Sequence, residues 1–251
     1  MNILILGHKG YLGSFLYDNL KHYKNFNIYT ETDKDIKYDY IINCASKTSL
    51  EYCEKYPDIS YESNYKVLPK NHSKSLKAKI ITFSSYYVYD DINICNENSK
   101  TTDKYFYNKH KMASELYATS HNGIAFRLGK LFGNVKNDQN KLTDHILKNN
   151  NIILDEVIFN PTSVQQVFDV VLYELLKNNL KGIYNLSNKG TCTHYEYGKE
   201  LIKITGKKTR IEKIKKIDKS FDNYGRFAMD ISKIDAIIKL RDWKEDLKIY
   251  A

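Results

Sequence analysis

The chain opens with a short apolar run, a glycine-rich turn and an amphipathic stretch, and this order constrains the fold more than any other feature. Residues 2–6 form an apolar run that is typical of a buried parallel strand. Gly7, Gly10 and Gly13 follow, and apolar residues then recur at helical spacing over 12–20. The sequence therefore predicts a strand, a tight turn and a helix as the first part of a βαβ unit.

Further apolar runs alternate with helical patterns in the first half of the chain. The predicted strands after the first cover residues 26–30, 38–44, 79–84 and 124–128. This alternation predicts a parallel sheet with helices on both faces, an α/β fold. Only about seven residues, 31–37, join the second and third strands, whereas a crossover helix needs about a dozen or more. We therefore expect one helix, and with it one strand, to be missing there.

The second half of the chain continues with helical patterns and one more strand. Apolar spacing predicts helices over 142–148, 164–177 and 194–204 and a strand over 182–186. There is no internal repeat and no Pro- or Gly-rich linker, and the whole chain has only 3 Pro. We therefore predict one domain over 1–130 and a second region over 131–251 that packs closely on it and returns some elements to it.

The formal net charge is +9, from 39 Lys and Arg against 30 Asp and Glu. Lys supplies nearly all of the positive charge, since Arg occurs only at Arg127, Arg210, Arg226 and Arg241. Because Arg is the usual residue for bidentate phosphate and base-edge recognition, we interpret the excess as a solvated surface and expect no nucleic-acid partner. The basic segment 203–219 interleaves Lys with Ile and Thr, which favours an exposed strand or loop over a nucleic-acid-binding arm.

The cysteines and the hydropathy indicate the compartment. The four cysteines, Cys44, Cys53, Cys95 and Cys192, form no Cys-x-x-Cys pair and no zinc-like spacing, which favours free thiols and no metal. No apolar run approaches the roughly 18 residues of a membrane span, and the N-terminus lacks the basic region of a signal peptide. We therefore expect a soluble, cytoplasmic protein without a membrane partner.

The glycine-rich turn is suited to a dinucleotide. Glycines at these positions let backbone N–H groups approach a pyrophosphate at the positive end of the following helix. In such sites an acidic residue about 20 positions further on binds the ribose, and Glu31 or Asp33 fits that role. Lys9, inside the turn, would instead meet a 2′-phosphate. The two features conflict, and we favour NADP(H) slightly over NAD(H).

Two further patterns suggest catalysis. Tyr107 and Lys111 follow Asp103, a predicted N-cap, and an i, i+4 pair places the ammonium beside the phenol. An adjacent cation lowers a phenol pKa from about 10 towards neutrality, which suits a proton donor to a developing alkoxide. Ser84 and Ser85 end the fourth predicted strand, where ligands bind in open α/β sheets and a hydroxyl can polarise a carbonyl.

In this order, the glycine turn, the serine pair and the Tyr-x-x-x-Lys helix resemble the extended short-chain dehydrogenase/reductase superfamily, most closely its dTDP-4-dehydrorhamnose reductase branch. The similar segments extend over nearly the whole chain and are DYIINCASKTSLEYCEKYPD, TFSSYYVYDD, YNKHKMASE, FRLGKLFG, NPTSVQQV, GIYNLSNKGTCTHYEYG and DWKEDL. The resemblance implies a Rossmann-type sheet with an NAD(P)-binding domain over 1–130 and a small, mainly substrate-binding region over 131–251.

Carried over residue by residue, the resemblance implies that Tyr107 is the catalytic acid, Lys111 its partner on the nicotinamide ribose, and Ser85 the hydroxyl that polarises the keto group. The implied cofactor-binding residues are Gly7, Lys9, Gly10, Tyr11, Leu12, Gly13, Glu31, Cys44, Ala45, Ser46 and Ser84, together with Tyr107 and Lys111. The implied substrate-binding residues are Lys47, Thr48, Ser85, Tyr86, Lys130 and Thr162.

Two departures from the branch affect the implied reaction. Tyr86 stands where the branch usually carries Asp, and Lys130 where it usually carries Trp. Ser85, Tyr86 and Tyr87 offer neither the carboxylic acid of sugar 4,6-dehydratases nor the Cys of GDP-fucose-type epimerase/reductases. We therefore expect simple NAD(P)H-dependent reduction of the C4 keto group of a dTDP- or UDP-linked 4-keto-6-deoxyhexose, in rhamnose-type deoxysugar and polysaccharide biosynthesis.

Other functions stay open at this point. The stretch SSYYVYD also resembles nucleotide-sugar 4-epimerases, and a bifunctional 3,5-epimerase/4-reductase fits the same motifs. A non-catalytic NAD(P)-binding regulator is a different class of protein, against which the intact Ser85, Tyr107 and Lys111 argue. A homodimer is compatible with the sequence, which determines neither the nucleotide nor the oligomeric state.

Overall fold

The structure is a computed structural model that describes residues 1–33, 35–90, 94–133, 141–215 and 228–250. Its strands are β1 (Asn2–Leu6), β2 (Asn27–Tyr29), β3 (Tyr40–Asn43), β4 (Lys79–Ser85), β5 (Ile124–Leu128), β6 (Lys130–Phe132), β7 (Asn151–Asp155), β8 (Ile158–Phe159), β9 (Pro161–Ser163), β10 (Gly182–Leu186), β11 (Cys192–Thr193) and β12 (Arg210–Ile214). Its α-helices are α1 (Tyr11–Leu20), α2 (Leu50–Lys55), α3 (Pro57–Tyr61), α4 (Val67–His72), α5 (Phe106–Ser120), α6 (Lys141–Lys148), α7 (Val164–Lys177), α8 (His194–Thr205), α9 (Ser232–Asp235) and α10 (Trp243–Tyr250).

Six parallel strands form the central sheet, in the order β10–β5–β4–β3–β1–β2. The predicted Rossmann-type α/β sheet is confirmed, and β1, β5 and β10 have the predicted bounds. The short connection is also confirmed, since none of the described residues between β2 and β3, 30–33 and 35–39, is helical. The strand order reverses beside β1, and ligands of such sheets bind at the carboxyl ends of the strands at this point.

Both faces of the sheet are covered by helices. Successive side chains of β1 point to opposite faces, so Ile3 and Ile5 pack with α1 and α7, whereas Leu4 and Leu6 pack with α4 and α5. All four side chains are buried. A strand that is buried on both faces is apolar at every position, which explains the unbroken run in the sequence.

The chain after β5 builds a second apolar core and also returns to the sheet. β6 pairs with β9 and β7 with β12 in parallel, and β8 pairs with β11 antiparallel. Helices α6, α8 and α10 pack over these pairs, with the Tyr197 ring stacked on Trp243 at 5.8 Å between centroids. The basic segment contains β12, as predicted, and its residues 216–219 lie outside the described residues. Helix α7 and strand β10 return to the central sheet.

The helices of the described ranges are all too short or too polar to cross a bilayer.

A buried ion pair between α5 and β5 fixes this helix to the sheet. Arg127 donates to Glu115 from Nε at 3.0 Å and from Nη2 at 2.7 Å, so the contact is bidentate. Arg127 and Glu115 are only 5% and 3% exposed, and the guanidinium lies 4.8 Å from the centroid of the Tyr89 ring.

We predict that Arg127→Met lowers the free energy of unfolding by about 3–5 kcal/mol, because the Glu115 carboxylate would stay buried without its cation. Urea denaturation followed by circular dichroism measures the change. Lys100→Met is the matched control, since the Lys100–Asp90 pair is exposed and screened by solvent, and its free energy of unfolding should stay near that of the wild type. An Arg127→Met effect no larger than that of the control would contradict the prediction.

Candidate active site

The glycine-rich turn after β1 packs against the loop that follows β3. The Cys44 amide donates to the Leu6 carbonyl at 2.9 Å, and the Gly10 amide donates to the Gly7 carbonyl at 3.0 Å. Gly7 has a φ of +75°, and a Cβ there would lie 2.5 Å from the Ala45 amide nitrogen. The turn therefore requires glycine at this position both for its backbone conformation and for the close approach of the two loops.

A second close contact lets α1 begin directly beneath the turn. A Cβ on Gly13 would lie 2.2 Å from the Gly7 carbonyl oxygen. Gly10 is the N-cap of α1 and carries no side chain that could occupy the amides of the first helical turn. Backbone amides at a helix N-terminus donate hydrogen bonds to phosphate oxygens, so this cradle fits the pyrophosphate of a dinucleotide. The predicted binding of cofactor by Gly7, Gly10 and Gly13 stays a prediction.

Two neighbouring residues of the turn are used in packing. The Tyr11 phenol donates to the Gly133 carbonyl at 2.6 Å, which ties the start of α1 to the chain after β6. Leu12 is buried in the core between α1 and the sheet.

Ser85, Tyr107 and Lys111 lie together at the carboxyl edge of the sheet. Ser85 is the last residue of β4, and its side chain neighbours the Tyr107 phenol closely enough to lower the pKa of that phenol. The Lys111 ammonium donates to the Phe83 carbonyl at 2.8 Å and lies 5.9 Å from the centroid of the Tyr107 ring. The three residues that the sequence singles out are therefore assembled as a cluster, whose catalytic roles stay predictions.

Helix α5, which carries Tyr107 and Lys111, begins at Phe106 and not directly after Asp103 as predicted. Its N-cap is Tyr105, whose side chain makes no capping bond. The Phe106 amide instead donates to the Glu54 carboxylate at 2.6 Å, and a negative charge is favourable at a helix N-terminus. The prediction of an N-cap at Asp103 is wrong, because Glu54 of α2 accepts the hydrogen bond at the start of α5.

Burial dominates the electrostatics of the cluster. It raises the pKa of the Tyr107 phenol, against a hydrogen bond with Ser85 that lowers it. The prediction that this pKa falls towards neutrality is therefore wrong for this structure, because desolvation outweighs the lowering by Ser85. Burial also lowers the pKa of Lys111 to about 8, although Cys44 and Glu115 oppose the shift.

Asn64 is a site residue that the sequence patterns missed. It lies in a π-helical turn over Glu62–Lys66 and is 1% exposed. Its Oδ1 accepts from the Lys47 amide at 2.7 Å and from Ser46 Oγ at 2.9 Å. Its Nδ2 donates to Ser60 Oγ at 3.1 Å, and Ser60 lies 2.9 Å from Nδ1 of His110 on α5. Asn64 thus fixes the 46–47 loop relative to α5, through a helical irregularity that apolar spacing does not reveal.

Two buried polar atoms at this edge have no hydrogen-bond partner within the part of the chain that the structure describes. They are Ser84 Oγ and Asn108 Oδ1, whose residues are 6% and 0% exposed. The Asn108 amide group donates to the Tyr87 carbonyl at 2.8 Å. A buried polar atom without a partner costs about 1–3 kcal/mol. The unmet bond of Ser84 therefore fits its predicted contact with a cofactor.

The residues predicted for the ribose lie on the loop after β2. Glu31 and Asp33 are exposed and line a shallow pocket with Lys74, which donates to Thr32 Oγ1 at 2.9 Å. Lys9 is exposed on the turn after β1, the neighbouring strand. This end of the site presents carboxylates for a ribose hydroxyl and ammonium groups for a 2′-phosphate, so the preference for NADP(H) stays a prediction.

The predicted substrate residues differ in their accessibility. Lys47 and Thr48 are exposed in the loop after β3, and Lys130, at the start of β6, is half-buried. Tyr86 is 5% exposed and stacks on Tyr87 with 4.5 Å between the ring centroids.

Thr162 is fully buried on β9, which pairs with β6, and its Oγ1 donates to the Asn160 carbonyl at 3.4 Å. The contact of Thr162 and the other predicted residues with a substrate stays a prediction.

Comparison with known proteins places the whole chain in one family. A family model described as the RmlD substrate binding domain matches residues 1–251. The chain is 26% identical over 233 residues to the spore coat polysaccharide biosynthesis protein SpsK of Bacillus subtilis (strain 168), a match that covers 84% of this chain and 78% of SpsK.

Solved structures of similar fold include two dTDP-4-dehydrorhamnose reductases. The enzyme from Clostridium acetobutylicum ATCC 824 is 23% identical with a TM-score of 0.84, and the match covers 100% of this chain and 98% of that one. The enzyme from Bacillus anthracis str. Ames, in complex with NADP, is 21% identical with a TM-score of 0.85 and covers 99% and 98% of the two chains. At these identities the likeness shows the fold.

We predict that Gly7→Ala weakens NADPH binding about tenfold or more, because the added Cβ forces the two loops apart and strains a left-handed residue by roughly 1–2 kcal/mol. Fluorescence titration with NADPH measures the dissociation constant. Gly206→Ala is the matched control, since Gly206 also has a positive φ, +66°, but nothing lies within 4 Å of its Cβ position. Gly206→Ala should lower stability and leave NADPH affinity unchanged, and equal NADPH affinity in Gly7→Ala would contradict the role of the cradle.

We predict that Lys111→Met is more stable than the wild type at pH 7, because folding then no longer buries an ammonium. The folded pKa of Lys111, about 8, lies below its usual value of 10.5, so the folded wild type releases this proton at a lower pH than the unfolded chain does. The stability of the wild type relative to the variant should therefore rise between about pH 8 and about pH 10.5. Urea denaturation across this range tests it, with the exposed Lys109→Met on the same helix as control. If the difference in free energy of unfolding between the wild type and Lys111→Met did not change with pH, the lowered pKa of Lys111 would be contradicted.

Proposed function

Because the chain belongs to the RmlD substrate binding domain family, we propose that it uses NAD(P)H to reduce the C4 keto group of a nucleoside-diphosphate 4-keto-6-deoxyhexose. The observation that carries the proposal is the cluster of Ser85, Tyr107 and Lys111 at the carboxyl edge of the sheet, beside the glycine cradle. A proton donor, a carbonyl-polarising hydroxyl and a buried cation are the groups that ketone reduction requires of a protein.

The protonation state of Tyr107 supports the direction of reduction. Its pKa is raised by burial, so the phenol keeps its proton at neutral pH and is ready to donate it to an oxygen that gains negative charge. Ser85, next to the same phenol, would hold the keto oxygen within reach of Tyr107. The hydride is the contribution of the nicotinamide when the cofactor is bound.

Lys111 would support the reaction through its positive charge. Its ammonium is held by the Phe83 carbonyl at 2.8 Å and carries charge in a desolvated position, where its field is strong. As negative charge moves from the keto oxygen onto Tyr107, this cation lowers the energy of the resulting phenolate. We propose a second role for the Lys111 ammonium, which can also donate a hydrogen bond to a ribose hydroxyl of the cofactor.

Cofactor binding is proposed for the cradle and the strand ends around it. Gly7, Gly10 and Gly13 would hold the pyrophosphate, and Ser84 Oγ is a buried group that a ligand would satisfy. The remaining proposed contacts are Lys9, Tyr11, Leu12, Glu31, Cys44, Ala45 and Ser46. We propose NADP(H) over NAD(H), supported by the ammonium groups at the ribose end and by the relative from Bacillus anthracis, which is described in complex with NADP.

The proposed substrate is a dTDP- or UDP-linked sugar, and its predicted contacts are Lys47, Thr48, Ser85, Tyr86, Lys130 and Thr162. The names of the relatives support this class, since two are dTDP-4-dehydrorhamnose reductases and one is a spore coat polysaccharide biosynthesis protein. The product would accordingly be a deoxysugar nucleotide for polysaccharide synthesis. An epimerase of the same fold would consume no reduced cofactor, which separates that alternative by experiment.

The deciding experiment supplies dTDP- and UDP-4-keto-6-deoxyglucose with NADPH or NADH, follows the loss of reduced cofactor, and identifies the product sugar by NMR. We expect stoichiometric oxidation of the cofactor and a C4 alcohol in the product. Turnover of a nucleotide sugar without loss of reduced cofactor would support an epimerase instead. No oxidation with any 4-keto sugar would refute the reductase.

We predict that Tyr107→Phe lowers kcat by roughly 10²–10⁴-fold, because the proton donor is removed and the ring that fills the site is kept. NADPH affinity should stay near that of the wild type, since the hydroxyl faces Ser85. Tyr105→Phe is the matched control, because it removes a phenol from the N-cap of the same helix without touching the cluster. A wild-type kcat in Tyr107→Phe would contradict the role of Tyr107 as the proton donor.

A further inference from the structure

Three side chains from separate elements meet beside the proposed site. Lys130 Nζ, at the start of β6, lies 3.0 Å from Nε2 of His194, the first residue of α8. His194 Nδ1 lies 2.7 Å from Oδ1 of Asp155, the last residue of β7. The His194 and Asp155 side chains are only 19% and 10% exposed, so the contacts are shielded from water.

The geometry determines the protonation of the imidazole. An ammonium has donors and no acceptor, so Nε2 of His194 must accept from Lys130. The ring proton then lies on Nδ1 and is donated to Asp155, which also accepts from the Val157 amide at 3.2 Å. Asp155 thus fixes the tautomer and the orientation of His194, and His194 fixes the direction of the Lys130 ammonium.

The strand register places the backbone of Lys130 at the edge of the sheet where Ser85 lies. Ser85 of β4 is paired with Leu128 of β5, and adjacent strands lie about 4.8 Å apart. Lys130 follows Leu128 by two residues and so leaves the sheet at the same edge. The intervening Gly129 allows a close contact, since a Cβ there would lie 2.3 Å from the Asn160 carbonyl oxygen. The backbone of Lys130 is held as well, because its amide donates to that carbonyl at 2.9 Å.

Phe159 completes the support of the ammonium. Its ring centroid lies 5.6 Å from Lys130 Nζ and 4.9 Å from the His194 ring. An aromatic face stabilises a cation and excludes water from one side of it. An ammonium that is held by an imidazole and an aromatic ring loses less side-chain entropy when it binds a ligand than a freely rotating lysine does.

We propose that His194 and Asp155 are positioning residues that hold the Lys130 ammonium for an acceptor oxygen of the nucleotide sugar. The inference rests on the proposed function, because it concerns the substrate of that same site. Two groups of one substrate offer such an oxygen, namely the diphosphate and the hexose. His194 acts through Lys130, so its loss should impair substrate binding and leave the proton transfer at Tyr107 intact.

The test measures binding directly, by isothermal titration calorimetry of the full-length protein with dTDP-rhamnose and with dTDP, and with UDP-glucose and UDP in parallel. We expect His194→Phe and Lys130→Met each to weaken binding of the sugar nucleotide about tenfold or more, the effect of losing one charge-assisted hydrogen bond. The double variant should be little worse than either single one, because the two residues act as a unit. His194→Gln, whose side-chain oxygen can accept from Lys130, should restore most of the affinity.

Kinetics supply the second readout. If the protein reduces a 4-keto sugar, His194→Phe should raise KM about tenfold and leave kcat nearly unchanged, a split that a general loss of structure would not produce. NADPH titration of each variant verifies that the fold is kept. Lys213→Met is the matched control, since Lys213 also lies over an aromatic ring, 5.4 Å from Tyr195, and pairs with Glu156 at 2.7 Å.

The binding results distinguish the diphosphate from the hexose as the source of the acceptor oxygen. They also distinguish failure of this inference from failure of the proposed reduction. Weaker binding of dTDP itself assigns Lys130 to the diphosphate, and weaker binding of dTDP-rhamnose alone assigns it to the hexose. Wild-type affinity for every nucleotide in His194→Phe, or the same loss in His194→Gln as in His194→Phe, would overturn the inference. Absence of reduction with intact, His194-dependent binding would instead overturn only the proposed reaction.

Discussion

The arrangement of the site depends on how α5 is bonded to the sheet beneath it. Lys111 reaches through the apolar interface to the Phe83 carbonyl of β4, and one helical turn later Glu115 holds Arg127 of β5. Other buried polar residues of the helix are bonded to neighbouring elements, and these are Asn108, His110 and Ser114. Because residues three and four apart share one helix face, these bonds set the rotation of the helix and place Tyr107 on Ser85.

This placement has an energetic consequence for the reaction. The burial that aligns Tyr107 also raises its pKa, and the same burial lowers the pKa of Lys111 to about 8. A phenol that keeps its proton and a desolvated cation beside it form a pair that is poised to respond to charge on a third group. A keto oxygen that becomes negative next to Ser85 would provide that charge. The proposed reduction would therefore depend on the burial of the cluster.

The sequence predicted the framework because the framework depends on local patterns. The apolar runs, the glycine turn and the short 31–37 connection identify the strands and the parallel α/β sheet, and the bounds of β1, β5 and α7 agree with the structure. The failures involve partners that are distant in sequence. Glu54 replaces the expected cap near Asp103, and Asn64 fixes the 46–47 loop from a π-helical turn. The pKa of Tyr107 shifts in the unexpected direction because desolvation depends on the whole packed site.

The same distinction applies to the lysine-rich composition. The net charge of +9 is consistent with lysines that are mostly solvated on the surface. Two lysines have different surroundings, which the net charge does not reveal. Lys111 is buried and hydrogen-bonded to a backbone carbonyl, so desolvation disfavours its charged form. Lys130 is half-buried and held by the imidazole of His194, which Asp155 orients in turn. Side chains that are held in this way by residues from other elements bind ligands with less loss of entropy, so the tertiary partners of a lysine indicate its function better than its charge does.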